Sequence, residues 1–319
     1  MLKYKIYVKR LSLLILAIFG GVFIYIYIYA KHYPIPLFHR ISLDAKMMFI
    51  RDMTNKKDID TIIVGSSIGL NNLQGIILEK SSKKVKHVLN LSSFSMEVTH
   101  IEQIWDLISL FPNVKRVIYS AQSLDFTGES TFEKTDIDFI KDYINLDPNS
   151  INLKYSFYAY KYFLQCVERQ WEWQKERMAH NKFSNIDFDH TGSAPLHIYG
   201  DDIIKARCTN HYVAKTNEES YAALARIIKK AEKDNIKFYF IAQPYREALI
   251  KEYKHIQENI SYFQNRSQKV VLENNAYFLN FHKKLQLGDE YFADRMHLND
   301  KGSIITTKAL AKFIDENEL

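Results

Sequence analysis

The residues best able to do chemistry stand in two short segments far apart in the chain. The first, "DTIIVGSSIGLNNL" (60–73), runs from a strand-like apolar stretch through Gly65 into Ser66 and Ser67, just ahead of a helical pattern. A serine there can cap the helix, its hydroxyl accepting a hydrogen bond from a free backbone N–H. It can also be a nucleophile, which then needs a base from elsewhere in the chain. The second segment, "YFADRMHLNDKGS" (291–303), holds Asp294 and His297 three residues apart. That spacing lets a carboxylate orient one imidazole nitrogen while the other takes a serine proton. Either segment alone is a weak signal. Together they supply a nucleophile, a base and an orienting carboxylate, which is the equipment of acyl transfer.

Other candidates carry less. Asp187, Asp189 and His190 in "NIDFDHTG", with His197 following, match no metal-ligand spacing and read as a polar loop. No metal and no cofactor is expected. Asp125 in "SLDF" falls at a strand end and is the runner-up carboxylate. Gln243 and Pro244 close the fourth strand pattern, and Arg246 beside them could meet an anionic group, although a solvated arginine fits better. His87 and His100 read as structural. Cys166 and Cys208 are the only cysteines, and a disulfide or two buried thiols are equally compatible with them.

The elements that must position these residues alternate. "DTIIVG", "VKHVLNLS" (85–92), "VKRVIYSA" (114–121), "IKFYFIA" (236–242) and "AYFLNF" (276–281) are strand patterns. Helical patterns fall between them, at 68–80, from about 97 to 110, in a stretch opened by a Thr216–Glu219 capping box, and from Asp300 to about Glu316. Short apolar runs separated by helices predict a parallel sheet covered on both faces. Ligands of such sheets sit at the carboxyl ends of the strands, where Gly65 falls. A long insertion, roughly 123–215, interrupts the alternation and is crowded with Tyr155, Phe157, Tyr158, Tyr160, Tyr162, Phe163, Trp171 and Trp173. Packing of a helical lid accounts for these rings best. The alternative is an aromatic wall beside a sugar site.

At 319 residues, 47% hydrophobic and 25% charged, the chain has the composition of a globular protein with a full core. Its net charge is +6, but Lys3, Lys5, Lys9 and Arg10 supply four of those positives, leaving +2 for the rest. Nucleic acid is therefore not an expected partner. "LSLLILAIFGGVFIYIYIYA" (11–30) has no charged residue and is long enough to cross about 30 Å of hydrocarbon. It exceeds the apolar core of a signal peptide and ends in a poor cleavage site. An uncleaved anchor is expected, with residues 1–10 cytoplasmic by the positive-inside rule and Tyr25, Tyr27 and Tyr29 as an interfacial belt. Residues 31–57 then read as a stalk and 58–319 as a domain outside the cytoplasmic membrane, periplasmic or extracellular.

The two chemical segments, set on this alternation, resemble the SGNH or GDSL-type serine hydrolases over roughly residues 58–317. Gly65-Ser66-Ser67 matches the strand-ending G-D-S block, and Asp294 to His297 the D-x-x-H that precedes the last helix. The resemblance implies a three-layer α/β/α sandwich on a five-strand parallel sheet. It implies Ser67 as nucleophile, with His297 and Asp294. It also implies an oxyanion hole from Ser67, Ser95 and Gln122, Ser95 through its backbone N–H and Gln122 in place of an asparagine side chain. With the anchor and the "F-x-D-x-x-H-L-N-x-x-G" ending, the chain looks like the divergent proteins of alginate and cellulose O-acetylation and of D-alanyl lipoteichoic acid assembly. That likeness implies a cell-envelope glycan as substrate and a multi-pass membrane O-acyltransferase as partner. Ser95 and Gln122 depart from the family's blocks. They keep open an inactive scaffold or glycan-binding protein on the same fold.

Overall fold

Five short apolar runs become five strands because each offers large side chains to both faces of a covered sheet. The computed structural model describes residues 2–128, 136–147, 153–178, 186–202, 215–248 and 254–318. The strands are β1 (Thr61–Gly65), β2 (Val88–Asn90), β3 (Arg116–Ala121), β4 (Lys237–Ala242) and β5 (Tyr277–Asn280). All pairings are parallel, in the order β2-β1-β3-β4-β5. On one face Ile63, Ile118, Tyr239, Ile241 and Leu279 pack under Leu310 and Ile314 of the last helix. On the other, Tyr119, Phe126, Phe240 and Phe263 form a cluster of aromatic rings with centroids 5.3–6.2 Å apart. The result is the predicted three-layer α/β/α sandwich.

The helices in chain order are α1 (Leu2–His32), α2 (Ile41–Asp52), α3 (Ser67–Asn72), α4 (Gly75–Ser81), α5 (Val98–Ile104), α6 (Ile137–Ile144), α7 (Leu153–Lys161), α8 (Phe163–Met178), α9 (Glu218–Lys233), α10 (Lys254–Glu273), α11 (Phe281–Leu285) and α12 (Asp300–Asn317). Three differ from the sequence patterns. The single helix expected over 68–80 breaks between α3 and α4, where tertiary partners take over. Gln74 N–H donates to Thr307 Oγ1, and a Cβ on Gly75 would lie 2.2 Å from Thr191 Oγ1. The helix expected to reach 110 passes into a tighter turn at Trp105–Leu110. The expected capping box before α9 is replaced by one cap: Asn217 accepts the Glu219 N–H, while Thr216 Oγ1 accepts the Tyr221 hydroxyl.

The chain divides into two compact units, Met1–Asp52 with Asp138–Lys175, and Met53–Ile137 with Glu176–Leu319. The first replaces the expected stalk with a packed helical body. Asp44 of α2 accepts the Phe38 and Arg40 N–H groups and pairs with Arg169 of α8. Arg51 donates to the Tyr143 hydroxyl at 3.0 Å. Five rings of the insertion pack on one another within this unit: Phe139 on Tyr155 and Tyr158, Tyr143 on Tyr155, and Tyr158 on Tyr162. Residues 4–32 form a helix long and apolar enough to cross a membrane, mostly uncovered by the rest of the chain. Cys166 is buried, and Cys208 lies outside the described residues.

Candidate active site

In the order β2-β1-β3, the chain leaves β1 toward one edge of the sheet and returns to β3 on the other side. A crevice opens where those two connections part, at the carboxyl ends of β1 and β3. Gly65 pairs with Ser120 there. It must be glycine, because its φ is +151° and a Cβ would stand 2.4 Å from Ser120 O. The two serines that follow divide the two possible roles between them. Ser66 is the N-cap of α3, its hydroxyl accepting the Ile68 N–H at 3.2 Å. Ser67, the first residue inside the helix, puts its Oγ 2.8 Å from His297 Nε2.

His297 is fixed from its other side. Its Nδ1 lies 2.8 Å from Asp294 Oδ2 and 3.0 Å from Oδ1. A carboxylate can only accept, so Nδ1 carries the proton and Nε2 accepts from the serine hydroxyl. Asp294 Oδ1 also accepts the N–H groups of Met296 and His297. Burial works to raise the Asp294 carboxyl, but the imidazole charge and these hydrogen bonds outweigh it and hold it at about 2. It is therefore ionised at neutral pH. All three side chains are almost buried, yet line an open cleft of about 460 Å³ with Ser95 and the apolar Ile68, Phe94, Leu124 and Met296.

The two departures from the family's blocks behave differently. Ser95 lines the cleft with φ +57°, the left-handed conformation that glycine adopts without strain. Gln122 does not face the cleft. Its Nε2 donates to Pro244 O at 2.7 Å and to Met296 O at 3.3 Å, which uses both amide hydrogens. Its extra methylene carries the amide past the position expected of an oxyanion donor and into the loop that holds His297. Asn72, which the sequence reading did not single out, grips the same loop by donating to Met296 O and accepting the Leu298 N–H. The signal was present in "GLNNL", as two asparagines inside a short helix where their propensity is poor.

Asp189 Oδ1 accepts from Thr191 N, Thr191 Oγ1 and Ser193 N, so Asp189 to Ser193 is a self-bonded turn. Among the described residues no group of three or more His, Cys, Asp or Glu side chains could hold a metal. His100 accepts the Glu97 N–H and caps α5, Arg246 lies 3.1 Å from Asp289, and Gln243 donates to Ser120 Oγ.

Asp125 is not the partner of His297. It accepts the Gln122 N–H at 2.8 Å and bonds the Ser66 side chain, steadying the turn beneath Ser67. Burial pushes its carboxyl up to about 7 against those hydrogen bonds, with Glu97 adding to the rise. The folded protein thus keeps this proton to higher pH than the unfolded chain, whose carboxyl titrates near 3.8. Stability should fall as pH rises from about 4 to about 7 and then level off. Thermal unfolding across that range should show the slope in the wild type and a flatter profile in Asp125→Asn. An unchanged slope in the variant would remove Asp125 as its source.

No protein-family profile matches the sequence, and no curated protein matches it. Among solved structures the chain is similar to an acetyl xylan esterase, at 11% identity over 80% of this chain and 100% of that one, with a TM-score of 0.44. It is also similar to a GDSL-like lipase from Bacteroides thetaiotaomicron, at 12% identity over 84% and 92%, with a TM-score of 0.38. At these levels the chemistry must be read from this chain's own residues.

Proposed function

We propose that the chain is a membrane-anchored serine acyl-transfer enzyme that acts outside the cytoplasm on O-acyl groups of a cell-envelope glycan. The observation that carries the chemistry is the 2.8 Å contact from Ser67 Oγ to His297 Nε2, with Asp294 on the opposite nitrogen. Ser67 attacks the ester carbonyl as His297 takes its proton, and Asp294 stabilises the imidazolium. The imidazolium returns that proton to the departing alkoxide, leaving an acyl-Ser67. Water or a sugar hydroxyl then gives up a proton to His297 and takes the acyl group, and His297 passes the proton to the departing Ser67 Oγ, so esterase and transferase share one intermediate. Ser67 opens α3, so its N–H has no acceptor inside the helix and suits a developing oxyanion, with Ser95 as the second donor. The apolar side chains of the cleft suit an acyl group. The basic N-terminus supports the outward orientation, and the glycan rests on the sequence resemblance.

A second reading, an inactive scaffold or glycan-binding partner of a membrane O-acyltransferase, is favoured by Gln122, whose amide is spent elsewhere. Removing one oxyanion donor costs about 2.7–4 kcal/mol of barrier, which slows a triad without disabling it. A membrane-impermeant fluorophosphonate applied to intact cells discriminates the two. Labelling of wild type but not Ser67→Ala is expected. Labelling only after lysis would overturn the orientation. No labelling in either preparation would leave the scaffold.

A further inference from the structure

The insertion presents an apolar stripe that its own unit leaves uncovered. Leu153, Phe157, Tyr160, Leu164, Val167 and Trp171 recur at alternating steps of four and three, the spacing of one helical face. All but Tyr160 are among the exposed large hydrophobic residues, Leu164 at 76%. The other side of α7 and α8 is used inside the unit, where Tyr155, Ala159, Cys166 and Arg169 are buried. A contiguous apolar surface of this kind marks a contact.

The neighbour of the stripe identifies what covers it. α7 and α8 run beside the end of α1 that leads out of the apolar stretch. Phe157 meets Phe23 with ring centroids 5.5 Å apart, Phe163 meets Tyr25 at 5.6 Å, and Gln170 accepts the Tyr25 hydroxyl at 2.6 Å. Phe157 and Tyr160 also share an apolar groove with Ile15, Leu16 and Phe19. Phe23 lies seven residues before Ala30, the last residue of the uncharged run, or about 10 Å along the helix axis. A ring resting on Phe23 is therefore at hydrocarbon depth wherever α1 spans a bilayer.

We infer that α7 and the start of α8 dip into the leaflet from which α1 emerges, with lipid acyl chains covering the stripe. This rests on the reading of α1 as a membrane span. The depth of about 10 Å is that of interfacial amphipathic helices. Trp171, with the Lys175 ammonium 5.1 Å from its ring centre, suits the headgroup level, as Trp does in aromatic belts. Lys161 is exposed and long enough to extend its ammonium group to the headgroups while its stem stays in the apolar layer. The insertion thus becomes a second membrane contact, in place of the lid or sugar-facing wall considered from sequence.

The test uses the full chain in vesicles of phosphatidylcholine brominated along its acyl chains, with Trp171→Phe and Trp173→Phe to lower the background. The remaining Trp105 is buried. Phe157→Trp and, separately, Phe19→Trp add one indole each. Both indoles should lose emission to the same degree. Quenching at the Phe19 site without quenching at the Phe157 site would overturn the inference and show that protein, not lipid, covers the stripe. Quenching at neither would overturn the span along with it. Photolabelling of the unmodified chain by an acyl-chain diazirine lipid gives a second readout that needs no substitution. Label on α7 as well as α1 is expected, and label on α1 alone would overturn the inference.

Discussion

Alanine at Ser67 or at His297 should each reduce ester turnover on the order of 10⁶-fold, and the double variant should lose no more. The two side chains act as one unit through their 2.8 Å contact, so removing either removes proton transfer and attack together. Asp294→Asn should be severe as well, on the order of 10⁴-fold, because an amide no longer holds His297 in the tautomer that accepts from serine. Ser66→Ala is the internal control. It removes a helix cap worth about 1 kcal/mol and should leave turnover largely intact. Steady-state kinetics on an activated ester with the five variants and the wild type decide the matter. Turnover surviving in Ser67→Ala would reject the mechanism.

The second large effect belongs to the helical unit and to stability. Asp44→Ala should destabilise it by about 3–5 kcal/mol, because it strands the buried Arg169 guanidinium without a counter-charge. Two N–H groups, of Phe38 and Arg40, lose their acceptor at the same time. Burial raises the Asp44 carboxyl while Arg169 and the Phe38 N–H pull it down, as expected of a pair that is costly to desolvate. Asp44→Leu with Arg169→Met should therefore recover much of the loss, since an apolar replacement of a buried pair is often near neutral. Thermal unfolding of the full chain in detergent measures both. A single variant within about 1 kcal/mol of wild type would show that the pair is not structural.

The sheet was legible because its strands are short apolar runs with polar helical stretches between them, a pattern set by covering both faces of a parallel sheet. The meeting of Ser67 with His297 was legible because Gly65-Ser66-Ser67 and Asp294 to His297 lie at strand ends, where the backbone must turn. What escaped the sequence was long-range. Asp44 and Arg169 stand 125 residues apart, and nothing local marks them as partners. Gln122 matched a donor position by residue type, yet one methylene was enough for Pro244 O and Met296 O to become its acceptors. Asn217 displaced the Thr216 capping box for a similar reason: the two side chains compete for one helix end, and Tyr221 claimed the threonine.

Ser67 and His297 are separated by 230 positions, and β4 and β5 must both be laid down between them. β1, β2 and β3 pair over modest sequence distances, so the half of the sheet that presents the serine can assemble early. Contacts closing large loops form slowly, because the entropy of closure is lost before the contact is gained. The imidazole is therefore expected to join after β1 and Ser67 are in place, when α12 docks and Asn72 and Gln122 bind Met296 O. A chain caught midway through folding would already hold Ser67 in a finished turn, with no imidazole beside it. The order of the strands thus acts as a safety catch on the proposed chemistry: Ser67 lacks its partner until the whole domain has closed.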